Sequence, residues 1–220
     1  MPNQLKIDFV SDVSCPWCAV GLWSLQQALA ELGDEVSAEL HFQPFELNPK
    51  MAAGGQDIAE HLTQKYGSTP DQQSQIREVI RQRGAEVGFT FNMAGRGRIY
   101  NTFDAHRLLH WAGELAPSQP GAQFALKRTL LQACHEHRQA MDEHPVLLAA
   151  VREAGLDEAR AAQVLASDEF AQAVRGQQAF YTEAGIRSVP AVVVNDRHLI
   201  SGGQPVEVYV RALRQIATEG

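Results

Sequence analysis

The chain opens on an alternation. In QLKIDFVS (residues 4–11) Leu5, Ile7 and Phe9 share one face of an extended segment, which predicts a strand. The period then changes: Leu22, Leu25, Leu29 and Leu32 recur at helical spacing up to Gly33, a helix with a glycine stop. AELHFQPFEL (38–47) alternates again through Leu40 and Phe42, and Asn48-Pro49 closes this second strand. Near the other end, AVVVN (191–195) is a continuous apolar run, the pattern of a strand buried on both faces. RHLISGG returns from a short Asn195-Asp196 turn, as in a hairpin. Pro205 then opens a helix whose Val206, Tyr209, Val210, Leu213 and Ile216 form one stripe. The terminal segments therefore predict β-α-β followed by β-β-α.

The middle of the chain follows the helical period almost throughout. Ala105, Leu108, Trp111, Ala112 and Leu115 define one face; Leu126, Leu130, Ala133, Cys134, His137 and Met141 define another. Loop signals fall at Gly67-Ser68-Thr69-Pro70, at 94–97, from Pro117 to Gly121 and at Gly155. The pattern predicts a small α/β domain made of residues 1–50 and 171–220, interrupted by an all-helical insertion over 51–170.

An apolar fraction of 45% and a charged fraction of 20% suit a globular protein with a sizeable core. A net charge of −7 argues against nucleic acid as a partner, because polyphosphate is repelled. No apolar run approaches the roughly 20 residues of a membrane span. The stretch MPNQLKIDFVSD has no basic start, apolar core or cleavage site of a signal peptide, so the expected location is cytoplasmic, with no membrane partner.

Against that background the cysteines change the picture. The chain has three, and two stand within four positions in SDVSCPWCAVG. Such a pair can hold a metal, form a staple or cycle as a redox couple. Cys15, Cys18 and Leu22 lie on one line at the start of the predicted helix, where free N–H groups and the dipole favour an anion. A thiolate at Cys15 is thereby stabilised, and its proton affinity should fall below that of a free thiol. Cys18, one turn further in, is placed to attack or release Cys15; Pro16 suits the first helical position and Trp17 flanks the pair. The metal alternative is a Cys3His zinc set completed by Cys134 and His137. Cys134 is otherwise expected to be a core thiol. Asp12 is either a proton acceptor for Cys18 or a loop carboxylate, and Gly95-Arg96-Gly97-Arg98 either an anion grip or a solvated loop. Pro190, directly before a buried strand, forfeits a ladder donor; a cis Val189–Pro190 bond would account for it and leave the Val189 backbone free to meet a substrate.

C-P-W-C followed far downstream by V-P resembles the thioredoxin superfamily, and the long helical insertion resembles its DsbA branch. DVSCPWCAVG, FQPFELNP, NTFDAHRLLHWA, GIRSVPAVVVN and LISGGQP are similar to blocks of the FrnE-type DsbA oxidoreductases. These are related to 2-hydroxychromene-2-carboxylate isomerases and kappa-class glutathione transferases, which carry serine where this chain has Cys15. The resemblance implies a thioredoxin-like α/β fold and a thiol-disulfide oxidoreductase or isomerase acting through a mixed disulfide. It assigns Cys15 as attacking thiol, Cys18 as resolving thiol and Pro190 as the cis-proline. Pro16, Trp17, Val189, Asn48, Asn101 and His106 are the candidate substrate-binding residues; Asn48, Asn101 and His106 would line a pocket over the dithiol, with capping and turn roles the alternative for the two asparagines. The implied partner is a protein or small-molecule thiol or disulfide, with no metal or bound cofactor required and glutathione as a candidate co-substrate. The alternatives are a glutathione-dependent isomerase or transferase for a small aromatic substrate, and a zinc-stabilised or chaperone-like binding module.

Overall fold

The computed structural model describes residues 3–92 and 94–219. Its main sheet has four strands in the order β2-β1-β5-β6, comprising β1 (Asn3–Ser11), β2 (Val36–Pro44), β5 (Ala191–Val194) and β6 (His198–Ser201). β1 runs parallel to β2, with Ile7 opposite Leu40 and Phe9 opposite Phe42, and antiparallel to β5. The parallel step needs a crossover, and α1 (Pro16–Leu32) supplies it. The hairpin β5–β6 is joined by the three residues Asn195, Asp196 and Arg197; the first two are at positive φ, and the Arg197 N–H donates to the Val194 carbonyl at 3.1 Å.

The alternation of β1 explains the layering. Leu5, Ile7 and Phe9 face a core built with Leu22, Leu25 and Leu32 of α1 and with Tyr209, Leu213 and Ile216 of α9 (Val206–Glu219). Val10 points the other way, into a small cluster with Tyr181, Ile186 and Ala191. β1 is therefore buried on both faces from Ile7 to Ser11, while Gln4 and Lys6 are exposed.

Between β2 and β5 lie α2 (Ile58–Tyr66), α3 (Pro70–Glu86), α4 (Phe103–Glu114), α5 (Ala122–His135), α6 (His144–Glu153), α7 (Glu158–Leu165) and α8 (Ala171–Glu183). Their core gathers Leu108 and Ala112 of α4, Leu126, Leu130 and Cys134 of α5, and Leu147 and Val151 of α6 around Val13. Two details depart from the sequence pattern. The segment is not wholly helical, because Gln56–Asp57 (β3) pairs with Arg98–Ile99 (β4). The stripe of α5 stops at His135, so His137 and Met141 are not on the helix: His137 is exposed, and Met141 is buried from a following loop. The loop signal at 67–70 becomes a stop and a start, with Gly67 left-handed at the end of α2 and Thr69 and Gln72 forming a capping box for α3.

Candidate redox site

The site begins where β1 ends. Asp12 accepts N–H bonds from Ser14 at 3.0 Å through Oδ1 and from Leu47 at 2.7 Å through Oδ2. One carboxylate thus fixes both the turn that delivers Cys15 and the strand exit that closes over it. The Cys15 N–H donates to the Asp12 carbonyl at 3.2 Å. Cys15 is the N-cap of α1 with extended backbone angles, and Pro16 occupies the first turn, where no N–H is required. Cys18 follows one turn later, fully buried, while Cys15 keeps 4% of its surface exposed and the half-buried Pro16 and Trp17 flank it.

The two sulfurs are pushed apart in acidity. The Cys15 thiol is lowered, chiefly because the Cys18 thiol donates to its sulfur, with the Cys18 and Trp17 N–H groups adding to this against burial and the Asp12 charge. The helix tip therefore contributes, but the neighbouring thiol contributes most. Cys18 is raised well above an ordinary thiol by burial and then by Cys15 itself. Burial would raise Asp12, yet His106 and the Leu47 and Ser14 N–H groups overcome it and hold the carboxyl well below the usual range. Asp12 is an ionised structural anchor.

The opposite wall is backbone. The Val189 carbonyl lies 3.6 Å from Cys15 Sγ, and the Val189–Pro190 peptide is cis. Pro190 packs closely against α1 at Gly21: a Cβ there would meet Pro190 Cγ at 3.0 Å. A Cβ on Gly203 would stand 2.9 Å from the Trp17 carbonyl oxygen. Two absent side chains thus let three segments close on the dithiol.

The helical segment supplies the floor, and most of it escaped the sequence reading. His106 of α4 is buried with Nε2 3.7 Å from Asp12 Oδ1, too long for a hydrogen bond. His135, at the end of α5, donates from Nε2 to the Val13 carbonyl at 3.0 Å; burial holds it neutral, well below the usual histidine range. Lys127 of α5 is fully buried, and burial lowers its ammonium group while Cys18, Asp12, Cys15 and Cys134 push it back up. Arg96 Nη1 lies 3.4 Å from the Cys134 sulfur. A signal for Lys127 does exist in the sequence: it falls on the apolar stripe of Leu130, Leu131 and Cys134, at spacings of three, four and seven.

Other expected residues are engaged elsewhere. Asn48 accepts from Lys65 Nζ at 2.8 Å, and Asn101 accepts from the Phe103 N–H at 2.9 Å and donates to the Met51 carbonyl at 3.2 Å. These are turn and helix-start roles, and neither side chain bonds to the dithiol or to Val189. Among the described residues no three His, Cys, Asp or Glu are grouped to hold a metal; Cys134 is buried and His137 exposed, so they do not face one ligand position. A cavity of about 440 Å³ is lined by Arg96, Arg98, Tyr100, His137, Arg138 and Gln139. That lining is cationic and polar, unlike an apolar slot for an aromatic ring.

A family model described as a DSBA-like thioredoxin domain matches residues 6–214. Among solved structures, a probable DsbA oxidoreductase from Streptomyces coelicolor superposes with a TM-score of 0.87 at 30% identity, covering 98% of this chain and 91% of that one. A 2-hydroxychromene-2-carboxylate isomerase gives 0.71 at 14% identity, covering 97% of each chain. The cytosolic disulfide reductase DsbM from Pseudomonas aeruginosa with GSH gives 0.63 at 16% identity, covering 96% of this chain and 98% of that one. The last two likenesses concern the fold alone. No curated protein matches the sequence.

Proposed function

The chain belongs to the DsbA-like thioredoxin family, and on that premise we propose that it is a cytosolic thiol-disulfide oxidoreductase working through Cys15 and Cys18. The observation that carries this reading is the placement of Cys15 at the N-cap of α1, 3.6 Å from the Val189 carbonyl, with Cys18 fully buried one turn further in. That arrangement lowers the outer thiol and raises the inner one. A lowered thiol supplies the thiolate that attacks; a raised, shielded thiol stays protonated until it is needed.

The Cys15 thiolate attacks a substrate disulfide, forming one S–S bond and releasing one substrate thiolate. Cys18 loses its proton and attacks the Cys15 sulfur of the mixed disulfide. The second substrate thiolate leaves, the substrate is reduced by two electrons, and the enzyme holds Cys15–Cys18 as a disulfide. The reverse sequence oxidises a dithiol. Pro16, Trp17 and Val189 border Cys15 and form the rim where a substrate chain meets it, with the Val189 backbone as its pairing partner. Glutathione is the small thiol we assign as co-substrate; the DsbM neighbour, named as a cytosolic disulfide reductase with GSH, supports both that assignment and the compartment. No helix among the described residues is long and apolar enough to cross a membrane.

Cys15→Ser should lower disulfide turnover about 10³-fold or more, as loss of a nucleophile does, and Cys18→Ser should accumulate mixed disulfides visible on non-reducing gels. Unchanged turnover in Cys15→Ser would end the proposal. Glutathione-dependent activity on a small aromatic substrate that survives Cys18→Ser would point instead to the isomerase class.

A further inference from the structure

A second concentration of charge lies away from the dithiol, at the loop Gly95-Arg96-Gly97-Arg98. The cavity of about 440 Å³ there is lined by Arg96, Arg98, Tyr100, His137, Arg138 and Gln139, and by none of Cys15, Trp17 or Val189. Three guanidinium groups and an imidazole thus face one space, and among the described residues no carboxylate lines it. The chain as a whole carries a net charge of −7, so this local excess of positive charge runs against its average.

Several arginines elsewhere are answered by carboxylates, as Arg107 is by Asp104, Arg160 by Glu169 and Arg214 by Glu35. Among the described residues Arg96, Arg98 and Arg138 have no such partner. Arg98 donates from Nε to the Gly54 carbonyl at 2.9 Å and from Nη2 to the Gly55 carbonyl at 2.8 Å. Arg96 sets Nη1 3.4 Å from the Cys134 sulfur. Each is held along one edge, keeps further N–H donors and leaves its charge uncompensated. Acids on the adjoining segments are committed to backbone: Asp142 accepts the Gly54 N–H at 2.8 Å, and Asp57 caps α2.

The two walls of the cavity are tied together. Asn92 donates its N–H to the His135 carbonyl at 3.0 Å and its Nδ2 to the Glu136 carbonyl at 2.9 Å. The last carbonyls of a helix ordinarily repel an anion. Here they are covered: Gln132 accepts from the Glu136 and His137 N–H groups, and Ala133 from that of Gln139. The covering turn carries Arg138 at φ 59°, a left-handed position that glycine usually fills. Arg138 Nη2 lies 3.6 Å from where a Cβ on Gly97 would stand, and Arg77 Nη1 lies 3.8 Å from the same point on Gly95. Guanidinium groups from three segments therefore converge on one loop.

We propose that this pocket binds a small polyanion, a molecule bearing two or more phosphate or carboxylate groups. The planar fork of an arginine matches either group with paired, charge-assisted hydrogen bonds. Three such forks call for more than one anionic group, and the volume falls in the range of small-molecule sites, above about 300 Å³. The half-buried Tyr100 supplies a hydroxyl and a ring face for the ligand's carbon skeleton. Such binding is independent of whether the dithiol turns over disulfides.

Isothermal titration calorimetry of the full chain in chloride buffer is the test, with pyrophosphate and citrate as separate probes. Saturable one-to-one binding that weakens as sodium chloride rises is expected. A preference for pyrophosphate marks a phosphate-bearing ligand, and a preference for citrate a polycarboxylate. Arg138→Ala should weaken binding about 10-fold or more, the loss of charged hydrogen bonds. Arg214→Ala, at a paired arginine outside the pocket, should keep the parent affinity. No saturable binding of either probe, or equal affinities for the two variants, overturns the proposal. Should Arg138→Ala fail to fold, the parent protein decides. Saturating probe should shield Arg98 and Arg138 from phenylglyoxal, mapped by mass spectrometry, and leave Arg214 unshielded; unchanged labelling of Arg98 and Arg138 overturns the proposal.

Discussion

Two walls meet at Cys15, and they are built differently. The wall from the sheet is made of backbone and of local spacing: the β1–α1 turn, the N-cap position of Cys15, the Val189 carbonyl and the glycines at 21 and 203. The wall from the helical segment is made of side chains that arrive through space, with His106 and Lys127 more than 85 positions from the motif and His135 bonded to Val13 across 122. The first wall places the sulfurs. The second sets the charges around them. A C-x-x-C on the same turn without that floor would lose His106 beside Asp12 and the His135 bond to Val13.

The largest effect that separates the walls comes from Gly203→Val. The added branch has no room beside the Trp17 carbonyl and the Gly21 N–H, so α1 or the loop after β6 must shift. Overpacking of this kind costs about 3 kcal/mol at the upper end of its range. Thermal unfolding should show the loss together with slower Cys15 attack. A variant as stable and as fast as the parent would mean that the backbone wall is not the close fit described.

A smaller effect tests the other wall. His135→Leu removes the donor to Val13 and leaves a buried carbonyl unpaired, at a cost of about 1–2 kcal/mol near neutral pH. The pH dependence gives the sign. The folded protein holds His135 well below the ordinary value, whereas the unfolded chain takes up the proton near about pH 6.5. Stability from this group is therefore complete above about pH 6.5 and is lost as the pH falls below it. Urea midpoints of the parent should drop between neutral and mildly acidic pH, and those of His135→Leu should drop less. Parallel profiles would remove His135 from the floor.

The contrast between the walls also explains what was legible. Strand and helix periods follow from neighbours in sequence, so β1, α1, the β5–β6 hairpin and the stripe of α9 were all readable. So was the position of Cys15 and Cys18 at the start of α1, because a spacing of three puts them one turn apart. The end of α5 was misplaced: the apolar positions continue to Met141 while the chain leaves the helix after His135, a boundary that periodicity does not mark. For Asn48 and Asn101 the sequence left a pocket role and a capping or turn role open, and their side chains bond Lys65, Met51 and Phe103. Lys127 went unread because a lysine on an apolar stripe is ordinarily solvated at one end; here α4 and the end of β2 pack beside it, a proximity no local spacing announces.

The most direct measurement is the pH dependence of iodoacetamide alkylation of the reduced protein, with the modified cysteine identified by mass spectrometry. The account predicts that Cys15 alone reacts at neutral pH, with a midpoint below the value of about 8.5 for a free thiol, while Cys18 stays unmodified. Equal labelling of the two cysteines, or a Cys15 midpoint at or above the free value, would contradict it.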